Sequence, residues 1–351
     1  MRPIRVLIVE DSAVVREFLL QIIAADPRLE VAGAVASAEE ALPLLARLSP
    51  DVISLDIRLP GMQGVEATRR IMSERPTPIV VVSACSESDD LNLSMEALKA
   101  GALALVEKPA ATTHRDYAAL AERLCTQLAI MSEVKVVRQR RARAPLMDPP
   151  QPPRPARLVP YRMVAVAAST GGPAALMELL GGLGKDFPLP VLLVQHMTPG
   201  FLEGFGRWLA GVTPFRVQIV TDRQLIEPGT VYLAPAGRHL VADCVSSWAE
   251  DGEPVWNQRP SGDVLFQSVA RYAREASLGI LLTGMGEDGA RGLKEMRLAG
   301  GYTIAEHEST AAVYGMPAAG IRLGAACEAL PLPAIAPRVL ELVSPAKEVL
   351  R

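Results

Sequence analysis

Met163-Val-Ala-Val-Ala-Ala-Ser169-Thr-Gly-Gly172-Pro173 is the stretch from which the fold is read. Its apolar run reads as a buried strand, too short for a helix. It ends in a turn of small residues. Pro173 then opens the helical run Ala174–Leu180, where a missing N–H would lack a partner anyway. Strand, tight turn and helix make the repeating unit of a parallel α/β sheet. Ser169 therefore stands at the carboxyl end of a strand, beside a helix N-terminus that attracts negative charge. Such a corner suits a nucleophile whose attack creates an oxyanion, or a loop that holds phosphate. It also suits a plain helix cap, and this stretch alone favours the cap.

The unit repeats outward through residues 161–345. Met163–Ala168, Val191–Val194, Val231–Leu233, Leu278–Leu282 and Tyr302–Ala305 are the clearest strands, and helical runs lie between them. This predicts a doubly wound parallel sheet. No G-x-G-x-x-G follows the first strand, and no Walker lysine is present, which weakens a nucleotide-binding reading of Ser169–Gly172. His196 ends the run Val191-Leu-Leu-Val-Gln195. Leu282-Thr-Gly284-Met285-Gly286-Glu287-Asp288-Gly289 places an acid in a glycine-rich corner before the helical run Ala290–Leu298.

Ser169, His196 and Asp288 thus share one sheet edge, where a serine–histidine–acid triad can assemble. The plain reading of a lone histidine is a polar surface or core residue. Of the four (His114, His196, His239, His307), His239 and His307 do not directly end an apolar strand. Spacing does not separate Glu287 from Asp288. The neighbouring glycines serve turn geometry, or let N–H groups approach a substrate oxygen. The order Ser…His…acid and the run Ala-Ala-Ser-Thr-Gly depart from the lipase-type G-x-S-x-G pattern.

Residues 1–125 show the same alternation. Ile4–Val9, Val31–Val35, Val52–Leu55, Ile79–Val82 and Leu103–Val106 read as strands. Ala13–Ala25, Ala38–Leu48, Gly64–Glu74, Asp90–Ala100 and a run from about Asp116 read as helices. The strand ends carry Glu10 and Asp11, then Asp56, Ser83 and Lys108-Pro109. Any one of these is an ordinary polar strand end; the whole set in this order is not. Converging carboxylates repel each other, and a hard cation such as Mg²⁺ relieves that repulsion. With a lysine and a hydroxyl opposite, the set suits phosphoryl transfer onto a carboxylate.

Between the two halves, residues 126–160 carry a basic run (Lys135, Arg138, Arg140, Arg141, Arg143) and then prolines from Pro145 to Pro160. Such density gives an extended spacer. The basic run reads as a solvated hinge rather than a nucleic-acid or lipid patch, because no aromatics are interleaved. The 351 residues suffice for two domains, with 49% hydrophobic and 21% charged residues and a net charge of −3. Nothing global points to nucleic acid. Cys85, Cys125, Cys244 and Cys327 form no C-x-x-C pair, so reduced cysteines in a cytoplasmic protein are expected. The N-terminus turns acidic after a short apolar run, unlike a signal peptide. No run approaches the roughly 18 apolar residues of a membrane span, so no membrane insertion is expected.

Val9-Glu10-Asp11-Ser12, Leu55-Asp56-Ile57-Arg58-Leu59-Pro60-Gly61-Met62, Ser83-Ala84 and Lys108-Pro109 resemble the motifs of response-regulator receiver domains. The resemblance implies a flavodoxin-like fold. It makes Asp56 the phosphoacceptor, has Glu10, Asp11 and Asp56 hold Mg²⁺, and puts Ser83 and Lys108 on the phosphoryl group. Two positions depart from the pattern. Leu105 stands where an aromatic is usual, and Gln63 where aspartate is familiar.

The second half carries Ala168-Ser169-Thr170-Gly171-Gly172, Gln195-His196-Met197, Ala234-Pro235, Arg259-Pro260-Ser261, Thr283-Gly284-Met285-Gly286-Glu287-Asp288-Gly289-Ala290 and Gly315-Met316-Pro317. These resemble the Rossmann-like catalytic domain of chemotaxis protein-glutamate methylesterases of the CheB type. The resemblance implies Ser169 as nucleophile, His196 as base and Asp288 as orienting acid. It also implies the N–H groups of Met285 and Thr170 as oxyanion donors, and no cofactor for the esterase chemistry. Thr198 and the run Glu306-His307-Glu308 depart from the usual pattern but lie outside the triad.

Over nearly the whole chain, the resemblance implies hydrolysis of glutamyl methyl esters on chemoreceptor helices. Glutamine deamidation would pass through the same acyl-enzyme. It further implies a histidine kinase as phosphodonor, and relief of an inhibitory receiver by phosphorylation at Asp56. The competing readings are a response regulator with a nucleic-acid-binding output, a non-catalytic scaffold, and a nucleotide-binding module at Ser169–Gly172.

Overall fold

Short apolar runs closed by polar turns become strands, and the amphipathic runs after them become covering helices, in a computed structural model that describes residues 2–84, 88–108, 114–134, 136 and 159–344. The chain divides into two compact units, Met1–Ala142 and Arg143–Arg351.

The first unit runs β1 (Ile4–Val9), α1 (Ala13–Ala25), β2 (Leu29–Val35), α2 (Ala38–Leu48), β3 (Val52–Asp56), α3 (Gly64–Glu74), β4 (Ile79–Ser83), α4 (Ser88–Lys99), β5 (Ala104–Glu107) and α5 (His114–Ser132). Its strands pair in parallel in the order β2-β1-β3-β4-β5. β3 and β4 are buried at every residue, as expected of a sheet covered on both faces. The order reverses between β1 and β3, which opens a crevice at their carboxyl ends. Glu10, Asp11 and Asp56 lie there. Ser12 caps α1 by accepting the Val15 N–H, so the chain turns immediately after the two acids. α5 runs through Ser132, so the expected 126–160 spacer begins as helix. Its basic run and its prolines before Pro160 lie outside the described residues, as do Cys85 and Pro109.

The second unit begins with β6 (Met163–Ala168), α6 (Gly172–Leu183), β7 (Val191–Gln195), α7 (Pro199–Val212), β8 (Arg216–Ile219), β9 (Gln224–Leu225) and β10 (Thr230–Leu233). There follow β11 (His239–Ala242), β12 (Ser246–Glu250), α8 (Gly262–Tyr272), β13 (Ser277–Leu281), α9 (Ala290–Leu298), β14 (Tyr302–Glu306), α10 (Met316–Arg322), β15 (Glu328–Leu330) and α11 (Leu332–Val343). Seven strands form a parallel sheet in the order β15-β14-β13-β6-β7-β10-β8. β6 is buried throughout and lies between β7 and β13, where the winding direction changes. The expected doubly wound sheets are present in both units.

A three-stranded antiparallel sheet, β11-β12-β9, is an addition that the sequence reading did not include. Its strands are too short to show a period of two above the background. Helix α8 packs closely on α9 because residue 292 is glycine. A Cβ there would lie 2.6 Å from the Asp263 carbonyl oxygen. This close packing sets the start of α8 against the corner before α9.

At the far edge of the sheet, Arg338 of α11 is 4% exposed. It donates to both Glu328 oxygens, to Glu341 and to the Tyr302 hydroxyl. The Glu328 side chain is itself 7% exposed, so removing one partner strands a buried charge. Arg338→Ala is expected to destabilise this unit by about 3–5 kcal/mol. Calorimetry of the full chain should show its transition falling by on the order of 10 °C. An unchanged midpoint would mean that the network contributes nothing.

Candidate functional site

Parallel pairing places the corners of the second unit side by side. Ala168 of β6 is in register with Gln195 of β7, and Ala167 with Leu281 of β13. The residues that follow these strand ends emerge together on one edge. The His196 N–H donates to the Ala168 carbonyl at 3.0 Å, and the Ser169 N–H to the Thr283 carbonyl at 3.0 Å. Buried Gln195 clips two corners with one amide, donating to the Ser169 carbonyl at 2.8 Å and to the His196 carbonyl at 2.9 Å. Gly171, at φ 77°, makes the turn after Ser169. A Cβ on it would lie 2.6 Å from that of Ala312.

His196 and Asp288 meet as the sequence predicts: Nε2 lies 2.8 Å from Asp288 Oδ2. Of the two acids that spacing left open, Glu287 turns outward and pairs with Arg322 at the surface. Asp288 is 2% exposed and accepts from four donors. Oδ1 takes the Ser261 hydroxyl at 2.5 Å and the Asp263 N–H at 3.0 Å. Oδ2 takes the Gly262 N–H at 2.6 Å besides the imidazole. Burial pushes the carboxyl up. The bond and charge of His196, with the Ser261 and Asp263 donors, outweigh that push and hold it below its ordinary value.

Because the acid occupies Nε2, the remaining ring nitrogen is Nδ1. It is buried without a hydrogen-bond partner among the described residues. Ser169 is therefore placed at the adjoining corner but is not bonded to the histidine. Catalytic hydrogen bonds of this kind often tighten only when substrate is bound.

Thr283 ties the opposite rim. Its hydroxyl donates to the Thr170 carbonyl at 2.9 Å and accepts the Val313 N–H at 2.9 Å. Its N–H donates to Glu306 Oε2 at 2.8 Å. Burial pushes the Glu306 carboxyl up, against the pull of this N–H. Gly284 follows. A Cβ there would lie 2.7 Å from the Ser169 Cβ, so only glycine lets this loop approach the serine. The Gly284 carbonyl accepts the N–H groups of Gly315 and Met316. Among the described residues, no backbone carbonyl takes the Thr170 or Met285 N–H. The Met285 side chain beside them is 48% exposed.

His239 and His307 lie elsewhere. His239 is buried on β11, against Ser261 and Glu253. His307 contacts Ser309 at the surface. Gln195, Ser261 and Thr283 stand within the sequence motifs, but the motifs alone mark no role for them. A signal existed for Ser261, since serine before an acid and a helical apolar run marks a helix start.

In the first unit, Glu10 and Asp56 are buried and Asp11 is exposed. One carboxylate oxygen from each lies within 4.8 Å of the others. Lys108 Nζ sits 2.8 Å from Asp56 Oδ2 and 3.0 Å from Glu10 Oε2. The Ser83 hydroxyl, also buried, donates to the Ala84 carbonyl at 3.3 Å. Burial and the nearby Asp56 charge push the Glu10 carboxyl up against the pull of Lys108. Burial pushes Asp56 up against the same lysine. Three carboxylates with one cation form an oxygen-only donor set of the kind that a hard divalent cation takes. Leu105 is half-buried on β5.

Residues 164–339 match the family model of the CheB methylesterase, and residues 6–116 that of the response regulator receiver domain. A protein of Paramagnetospirillum magneticum named protein-glutamate methylesterase/protein-glutamine glutaminase 2 is 54% identical over 97% of this chain and 98% of its own. One of Anaeromyxobacter dehalogenans, named protein-glutamate methylesterase/protein-glutamine glutaminase 3, is 44% identical over 96% and 98%. Among solved structures, the CheB methylesterase catalytic domain of Thermotoga maritima matches with a TM-score of 0.51 at 33% identity, over 53% of this chain and 100% of its own.

The acidic pocket makes a signed prediction. A carboxyl raised on folding contributes stability below its unfolded pKa, about 4, and that stability is lost as pH rises through the raised value. Ionising Glu10 and Asp56 as pH rises through those raised values therefore costs the first unit stability. Asp56→Asn is expected to raise its melting temperature by several degrees at pH 7.5, and the gain should vanish near pH 4. Thermal melts at the two pH values check this. A lower midpoint at pH 7.5 would contradict it.

Proposed function

We propose that this chain, which belongs to the CheB methylesterase family, hydrolyses glutamyl methyl esters on methyl-accepting chemoreceptors and is regulated by phosphorylation. In this reading residues 1–125 are the receiver, 126–160 the spacer and 161–345 the esterase. The observation that carries it is the His196–Asp288 pair, whose Nδ1 is buried without a partner among the described residues and whose strand end adjoins that of Ser169.

Ser169 Oγ attacks the ester carbonyl carbon while His196 Nδ1 takes its proton. Asp288 fixes the ring with Nε2 protonated and offsets the imidazolium charge. The tetrahedral oxyanion receives the Thr170 and Met285 N–H groups. His196 returns the proton to the departing methoxide, and methanol leaves. A water deprotonated by the same histidine then attacks the acyl-enzyme, releasing glutamate and Ser169. A glutamine side chain enters the same acyl-enzyme with loss of ammonia. An amide expels its leaving group less readily, so deamidation is the slower activity. The relatives' names, which carry both activities, support this reading.

Asp56 is the phosphoacceptor for a sensory histidine kinase. Glu10, Asp11 and Asp56 would hold Mg²⁺, which neutralises charge on the incoming phosphoryl group. Ser83 and Lys108 receive phosphoryl oxygens; Lys108 already stands between the two buried acids. Among the described residues, no helix is long and apolar enough to cross a membrane, which accords with action in the cytoplasm on receptor helices. A nucleic-acid-binding output is not favoured, because the second unit is a seven-stranded parallel sheet carrying these corners.

Methanol release from a methylated chemoreceptor fragment tests both parts. Ser169→Ala should lose at least about 10³-fold in kcat. A small phosphodonor with Mg²⁺ should stimulate the wild type but not Asp56→Asn. Full activity in Ser169→Ala would remove the nucleophile. Indifference of the wild type to the phosphodonor would keep the esterase and remove the switch.

A further inference from the structure

We propose that Ser261 is a positioning residue for this reaction: its hydroxyl holds Asp288 turned toward His196, and His239 holds Ser261 in turn. The proposal rests on the Ser169-His196-Asp288 reading and deepens it.

The two Asp288 oxygens are engaged separately. Oδ2 carries the imidazole, and Oδ1 carries the Ser261 hydroxyl at 2.5 Å. The positive end of α8 adds one N–H to each oxygen, Gly262 to Oδ2 and Asp263 to Oδ1. Among the described residues, the Ser261 hydroxyl is the one side-chain donor to Asp288 besides His196. Together with the Gly262 N–H on Oδ2 and the Asp263 N–H on Oδ1, it fixes the rotation of the carboxylate about its own axis. Ser261 is 0% exposed, so water does not compete for this bond.

The plain alternative is a helix cap. Ser261 is the N-cap of α8, but its oxygen accepts from the Val264 N–H at 3.5 Å, a distance at the limit of a hydrogen bond. The short bond to Asp288 is the stronger of the two. Ser261 is also anchored from behind. Its N–H donates to Nδ1 of His239 at 3.2 Å, while Nε2 of that ring lies 3.0 Å from the Glu253 carbonyl. An accepting Nδ1 puts the ring proton on Nε2, where Glu253 takes it. His239 opens β11, so the small antiparallel sheet reaches the reacting histidine through Ser261 and Asp288. Gly262 is part of the same design: a Cβ there would lie 2.8 Å from the Ala167 Cβ.

Three substitutions in the full chain test this. Ser261→Ala and Ser261→Gly remove the hydroxyl, whereas Ser261→Thr keeps it. Methanol release should fall about 10- to 100-fold in kcat for the first two, with KM nearly unchanged. Ser261→Thr should recover most of the rate. Glycine is nearly as good as serine at a helix N-cap, so a purely capping role would leave Ser261→Gly at the wild-type rate. The downfield proton resonance of the His196 ring N–H shared with Asp288 should shift in Ser261→Gly and return in Ser261→Thr. Wild-type kcat in Ser261→Gly, with Asp288→Asn impaired, would overturn the role of Ser261 alone. Wild-type kcat in Asp288→Asn would overturn the triad reading, and this inference with it.

Discussion

A carboxylate shut away from water stays charged only if the protein replaces the hydrogen bonds that water supplied, and much of the second unit answers that demand at Asp288. Four donors converge on its two oxygens. Two come from the free backbone at the start of α8, one from the residue that caps it, and one from the imidazole. Each donor demands structure of its own. Helix α8 must begin against β6 and lie close to α9, which is why Gly262 and Gly292 carry no side chain. His196 must emerge next to Ser169, which the parallel register of β6 and β7 ensures. The acid is thus fixed before any substrate arrives, and pre-organisation of this kind is where catalytic sites gain most.

The acids of the first unit show the opposite condition. Glu10 and Asp56 are as deeply buried, yet one lysine serves both. Each also has a backbone N–H two residues on, at 3.3 Å for Glu10 and 3.2 Å for Asp56. Their carboxyls are pushed up where that of Asp288 is held down. One pocket is electrostatically complete and the other is left short of positive charge. That shortage is what a divalent cation would relieve, and it suits a site that changes state.

Much of this was legible in the sequence. Apolar runs of strand length ending in Ser169, His196 and the Thr283–Asp288 loop put three chemical groups on one edge, and the parallel sheet keeps them there. The acid clusters after β1 and β3 were legible for the same reason. What lay hidden depends on partners distant in the chain. Nothing local told that Ser261 would bond Asp288, that Gln195 would clip two corners, or that Thr283 would bridge the Thr170 and Val313 turns. Spacing could not separate Glu287 from Asp288, because both sit in one turn and only burial decides between them. Which imidazole nitrogen faces the acid is likewise a matter of ring rotation, to which sequence is blind. β9, β11 and β12 were missed because strands this short are defined by their neighbours, not by their own pattern.

The corners of Ser169, His196 and Asp288 all lie at the carboxyl ends of β6, β7 and β13, and the opposite ends of the same strands carry none of them. There the chain only returns from helix to sheet, through the bends between α6 and β7, between α8 and β13, and at Gly300-Gly301 before β14. One fold therefore holds a conservative edge and a permissive one. Changes in length or surface at the return bends between α6 and β7 and between α8 and β13 are expected to leave the donors to Asp288 in place. A single added methyl at Gly284 would clash with Ser169, and one at Gly262 with Ala167. Variation among members of this architecture is expected to collect on the amino edge, which makes that edge the place to attach a reporter.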